Sequence, residues 1–112
     1  MLFTAVLFLI VAAGGLTMAG MKFSGKTIPA PLALGHGLLA LVAVIFLFFS
    51  VFTNGVGTTL VTAKVFLLIT ALVGLVLFSF RAGKRSPPFR LILVHGTLAA
   101  IGITLLLVAF FA

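Results

Sequence analysis

Apolar residues run almost unbroken through four stretches of the chain, Leu2 to Met21, Leu32 to Phe52, Leu60 to Phe80 and Leu91 to Phe111, with polar and charged residues collected between them. A helix crossing the hydrocarbon core of a bilayer needs about 20 such residues. Each run therefore predicts one transmembrane helix. None shows the apolar-polar alternation over about ten residues that a membrane-barrel strand requires. The first run has no basic residue ahead of its apolar core, and Lys22 and Lys26 follow it instead, so it reads as an uncleaved helix rather than a secretory signal.

The pattern repeats. Sliding the chain against itself by 59 residues lays 1–51 over 60–110 without a gap and gives 14 identities in 51 positions. Leu and Val matches carry little weight between apolar helices. Pro29 over Pro88 and His36-Gly37 over His95-Gly96 carry more, because they are rarer and include both histidines of the chain; Gly15 over Gly74 is among the other identities. Lys22 over Arg81 and Lys26 over Arg85 extend the match into the connections. The expected fold is all-α: a single domain over 1–112, built as a four-transmembrane-helix bundle from two tandem helical hairpins (1–51 and 60–110). Because each repeat has two helices, both copies cross in the same sense, and their pseudo-two-fold axis runs along the membrane normal.

Composition reinforces the membrane reading and removes whole classes of chemistry. Of 112 residues 64% are hydrophobic and 6% charged, against roughly 25% charged in a soluble domain. There is no Asp or Glu, so paired-carboxylate catalysis, an acidic metal cage and an acidic proton relay are all excluded. With no Cys, thiolate zinc, iron–sulfur clusters and covalently attached c-type haem are excluded too. Six of the seven cations lie in the two connections holding Lys22 and Lys26 or Arg81, Lys84, Arg85 and Arg90, while Thr53 to Thr59 has none. The positive-inside rule puts that basic side in the cytoplasm and both termini outside, in a multi-pass protein of a bacterial-type cytoplasmic (inner) membrane. The basic charge fits anionic lipid head groups and gives no reason to expect nucleic acid. Lys64, about one turn inside helix three, is expected to snorkel to the outer head groups.

The two histidines are the candidate chemistry. Each stands seven residues past its proline, about 10 Å into its helix at 1.5 Å per residue. An ionisable residue at that depth is costly unless it faces the bundle interior and finds a partner. One turn and two turns further on lie Ala40 and Ala43 beyond His36, and Ala99 and Gly102 beyond His95, small residues that leave a recess beside each imidazole or permit close helix packing. Thr27 and Ser86 are candidate caps for helices two and four, whose positive ends point into a zone holding Lys26, Arg85 and Arg90. Anionic groups such as haem propionates are stabilised in such a place. Two neutral imidazoles on opposite faces of an iron, inside an apolar four-helix bundle, hold a b-type haem without cysteine. His36 and His95 are then the metal ligands. Chlorophyll magnesium is a second ligand for single histidines, and zinc is disfavoured because it wants four protein ligands.

With four helices and one histidine on each of two of them, His36 and His95, the chain resembles the small integral-membrane b-type cytochromes that serve as electron-carrying anchors of membrane oxidoreductases. Many of those hold two haems on four histidines, and this chain has half that set. The resemblance implies one haem b, ligated by His36 and His95, relaying electrons within a larger membrane redox complex or homo-oligomer, to or from quinone or another haem. It implies no enzyme activity for the chain alone. The small multidrug exporters share the size and helix number but rely on a membrane glutamate, absent here, and Gly55 to Thr59 echoes the fluoride channels without the rest of their signature. The competing expectation is a cofactor-free accessory subunit that stabilises a membrane complex.

Overall fold

A computed structural model of the protein describes residues 2–53 and 57–111, with side chains described outside 51–53. Asn54, Gly55 and Val56, in the middle of the expected Thr53–Thr59 turn, lie outside the described residues. The chain forms four helices, α1 (Leu2–Phe23), α2 (Ala30–Thr53), α3 (Thr58–Ala82) and α4 (Phe89–Phe111). All four are long and apolar enough to cross a membrane, which makes this a multi-pass membrane protein of the expected fold. Each helix outruns its apolar core by a few residues, because the flanking Lys, Arg, Thr and Ala continue the backbone hydrogen bonding into the interfacial layer.

The helices pack in a ring. The backbone of α1 runs close to α2 and α4, and that of α3 close to α2 and α4, while among the described residues the backbones of α1 and α3, and of α2 and α4, stand further apart. The histidine-bearing helices thus stand on one diagonal.

The two basic connections are built alike, hydrogen bond for hydrogen bond. α1 closes with Lys26 N–H donating to the Met21 carbonyl at 2.8 Å and Gly25 N–H to Lys22 at 3.1 Å. α3 closes with Arg85 N–H to Phe80 at 2.8 Å and Lys84 N–H to Arg81 at 3.0 Å, the same positions 59 residues on. This closure needs one left-handed residue. In the first copy it is Gly25 (φ 74°) and in the second Lys84 (φ 55°), which lacks glycine's freedom. Reciprocal bonds then join the two copies: Lys22 Nζ donates to Ser86 Oγ at 2.9 Å, and Arg81 Nη2 to the Ile28 carbonyl at 3.3 Å. Pro29 and Pro88 immediately precede α2 and α4, and their carbonyls accept the first helical bonds. Ser86 spends its hydroxyl on Lys22 rather than on a helix cap.

Packing divides the bundle into two unequal halves. Every buried described residue lies within 4–8, 43–50, 60–70 or 102–106, the half remote from the basic connections. There Leu7, Phe8, Ala43, Leu47, Leu60, Ala63, Leu67 and Leu106 form one cluster. Small residues set how close the helices come: a Cβ on Gly102 would stand 2.8 Å from Leu67 Cδ2, so α3 and α4 meet there with a leucine against bare backbone. In a bilayer this fit is driven by van der Waals packing, since lipid tails are as apolar as leucine. In the basic half, where both histidines lie, no described residue is fully buried.

Candidate functional site

His36 on α2 and His95 on α4 face each other across the pseudo-two-fold axis, their ring centroids 6.4 Å apart and their planes crossed at 76°. Each ring rests on a glycine of the other helix of its own hairpin. A Cβ on Gly15 would come within 3.2 Å of His36 Cε1, and one on Gly74 within 3.0 Å of His95 Cε1. Any side chain at either glycine would push its imidazole away. Gly15 and Gly74 are equivalent positions of the repeat, so the duplication copied the histidine and its seat together.

The seat also orients the ring. His95 Nδ1 lies 3.0 Å from the backbone carbonyl of Thr70, one helical turn before Gly74. A carbonyl oxygen only accepts, so Nδ1 carries the proton and Nε2 keeps its lone pair. Thr70 turns its own hydroxyl back onto the Phe66 carbonyl at 2.7 Å and leaves its carbonyl to the histidine. In the first hairpin the equivalent carbonyl is that of Val11. His36 is drawn towards it, but among the described residues its buried Nδ1 closes no bond of full hydrogen-bond geometry. The two halves of the site are therefore alike in plan and different in satisfaction.

The other expected site residues separate into three groups. Ala40 and Ala99, one turn beyond the histidines, are half-buried and line the same interior face. Ala43 is fully buried and Gly102 lies against Leu67, so these two form the packed floor beneath the histidines. Lys26, Arg85 and Arg90 are exposed at the basic end, with the Arg85 guanidinium 4.8 Å over the Phe80 ring. Sequence reasoning passed over Gly15 and Gly74 as seats, although both stood among the repeat identities. It also missed the Thr70 carbonyl, since a backbone acceptor leaves no trace in residue type.

Lys64 departs from expectation. Its stem is half-exposed, but its ammonium is buried with no hydrogen-bond partner among the described residues instead of reaching the head groups. The equivalent residue of the first hairpin, Ala5, is only 2% exposed, so this register points into the bundle.

Were a metal centre bound here, His36 and His95, their ring centroids 6.4 Å apart, would be the side chains to hold it, His95 through the Nε2 lone pair that its bond to Thr70 leaves free. Among the described residues no group of three ligating side chains lies together, so a metal here would need its remaining ligands from a group that the chain does not supply. No family model, curated protein or solved structure matches the chain.

Proposed function

We propose that this protein is a membrane-embedded b-type haem protein, holding one haem between His36 and His95 and relaying electrons as a subunit of a larger redox complex. The observation that carries the reading is the pair of facing imidazoles, 6.4 Å apart on diagonal helices, each on a glycine seat. Haem, when bound, supplies a one-electron couple. The chain's own residues supply the rest. Gly15 and Gly74 let the rings approach the neighbouring helix, and the Thr70 carbonyl fixes the His95 tautomer, the outer-shell hydrogen bond that metal-ligating histidines characteristically make. Lys26, Arg85 and Arg90 give the open end a positive field suited to propionates. By the positive-inside rule that end faces the cytoplasm of a bacterial-type inner membrane, with both termini outside. One haem near one face leaves the rest of the bilayer uncrossed, so a partner carries the other redox centres, with quinone or another haem as donor or acceptor.

The test is a visible spectrum of protein purified with haem supplied during expression. A reducible b-type spectrum, lost in His36→Ala and in His95→Ala while the helical circular dichroism persists, supports the reading. A colourless, folded protein that refuses haem on reconstitution overturns it. One observation favours the second reading, a cofactor-free accessory subunit: the buried Lys64 ammonium has no hydrogen-bond partner among the described residues and the chain has no Asp or Glu to offer it, and a partner's acidic residue would neutralise it.

A further inference from the structure

The two basic connections close alike but are not charged alike. The first carries Lys22 and Lys26, the second Arg81, Lys84, Arg85 and Arg90. The two added cations, Lys84 and Arg90, stand where the first hairpin has Gly25 and Pro31. Lys84 is also the one non-glycine residue with a positive φ among the described residues, at 55°, in a turn that the first hairpin makes with a glycine at 74°. The left-handed region penalises any residue with a Cβ, so the lysine is kept against the preference of its own turn. A charge that the turn does not need points to something bound beside it.

We infer that the connection between α3 and α4 binds the phosphate of an anionic phospholipid, one lipid per chain, whose acyl chains lie down the adjoining outer face of α4. Lys84 and Arg90 are exposed there, whereas the Arg81 guanidinium is turned to the Ile28 carbonyl at 3.3 Å and that of Arg85 lies 4.8 Å over the Phe80 ring. A third cation crosses from α1. Lys22 Nζ donates to Ser86 Oγ at 2.9 Å, in the middle of the connection, and Ser86, as the acceptor, keeps its own O–H to donate. Ammonium, guanidinium and hydroxyl groups are the donors that phosphate oxygens take. On the first turns of α4 the side chains of Phe89, Leu93 and Val94 are 57%, 48% and 47% exposed, and the Phe89 ring meets that of Phe23 at 5.5 Å across the α1–α4 seam. Phosphate donors thus stand at the edge of an apolar surface, as a head group and its chains require and a free anion does not. With no Asp or Glu, the chain offers no carboxylate to the ammonium of a choline or ethanolamine head group. Lipids with a net negative, amine-free head group, of the phosphatidylglycerol type, are therefore the ones selected. This binding goes beyond the proposed haem and does not depend on it.

The experiment uses the full chain in neutral detergent micelles, titrated with dioleoylphosphatidylglycerol or dioleoylphosphatidylcholine, with the lipid-bound species counted by native mass spectrometry. One phosphatidylglycerol per chain is expected to bind roughly tenfold more tightly than phosphatidylcholine and than any second copy. Lys84→Gly is expected to weaken it about fivefold, the worth of one cation at a membrane surface, while raising the thermal stability of the chain. Opposite changes in binding and stability separate lost contact from lost folding. The deciding variant combines Gly25→Lys with Lys84→Gly, which keeps the net charge at +7 and moves one lysine between equivalent positions of the two turns. Binding as weak as in Lys84→Gly alone supports the inference. Wild-type affinity in the double variant means that the lipid answers only to the overall charge, and overturns it. Equal affinity for the two lipids overturns it as well, and so does displacement of the lipid by glycerol phosphate, which identifies a soluble anion as the ligand. Pro31→Arg combined with Arg90→Gln makes the same exchange at the starts of α2 and α4, and serves if the first double variant fails to fold by circular dichroism.

Discussion

Replacing Gly74 by alanine puts the seat of His95 to the test. The new Cβ would lie 3.0 Å from His95 Cε1, where carbon atoms rest comfortably at about 3.5–4.0 Å, so the ring must retreat by roughly 0.5–1.0 Å. The Nδ1 to Thr70 bond, now 3.0 Å, then stretches to about 3.5 Å or more and ceases to be a hydrogen bond. Losing it costs about 0.5–1.5 kcal/mol, and the buried unpaired donor raises that towards about 1–3 kcal/mol. Against this stands the gain of about 1 kcal/mol from exchanging glycine for alanine inside a helix. Gly20→Ala in α1 provides the control, since a Cβ there meets nothing within 4 Å and only the propensity gain remains. Because the propensity gain is common to both, their difference isolates the seat. Gly74→Ala should fall about 1–3 kcal/mol below Gly20→Ala in SDS unfolding followed by circular dichroism. On the proposed function it should also bind haem roughly tenfold more weakly, as loss of an outer-shell partner does. Equal stability and equal haem affinity in the two variants would refute the reasoning.

Three further expectations follow from the packing. Gly102→Ala drives a methyl to within 2.8 Å of Leu67 Cδ2 and should destabilise the bundle by about 1–3 kcal/mol in the same assay, a cost relieved when Leu67 is shortened to Val. Lys84→Gly should stabilise by about 1 kcal/mol, because φ 55° is left-handed, and Gly25→Ala at the matching turn (φ 74°) should destabilise by a similar amount; opposite signs are the diagnostic outcome. Lys64→Met removes a buried ammonium that has no partner among the described residues and should raise the stability of the isolated protein by about 1–3 kcal/mol, whereas a loss of stability would show that the ammonium is paired.

Four helices, their order and their duplication are all visible in the residues, because hydropathy and proline or glycine punctuation act locally and survive in any arrangement of the helices. The equal depth of His36 and His95 is legible for the same reason, as it follows from counting residues past Pro29 and Pro88. Which neighbour fills the space beside a small residue is another matter. Spacing alone left Ala43 and Gly102 open to two readings, the wall of a recess or a close helix contact, and Leu67 against the bare face of Gly102 gives the second there, since the rotation of α3 against α4 decides whether a gap is kept or filled. Rotation likewise placed Gly15 and Gly74 under the imidazoles and turned the Lys64 ammonium inward. The sequence by itself determined what spans the membrane and what is repeated. Only the packing of the helices decided which half of the bundle is tightly packed, which is open around the histidines, and how the two hairpins differ, because those depend on contacts between residues far apart in the chain.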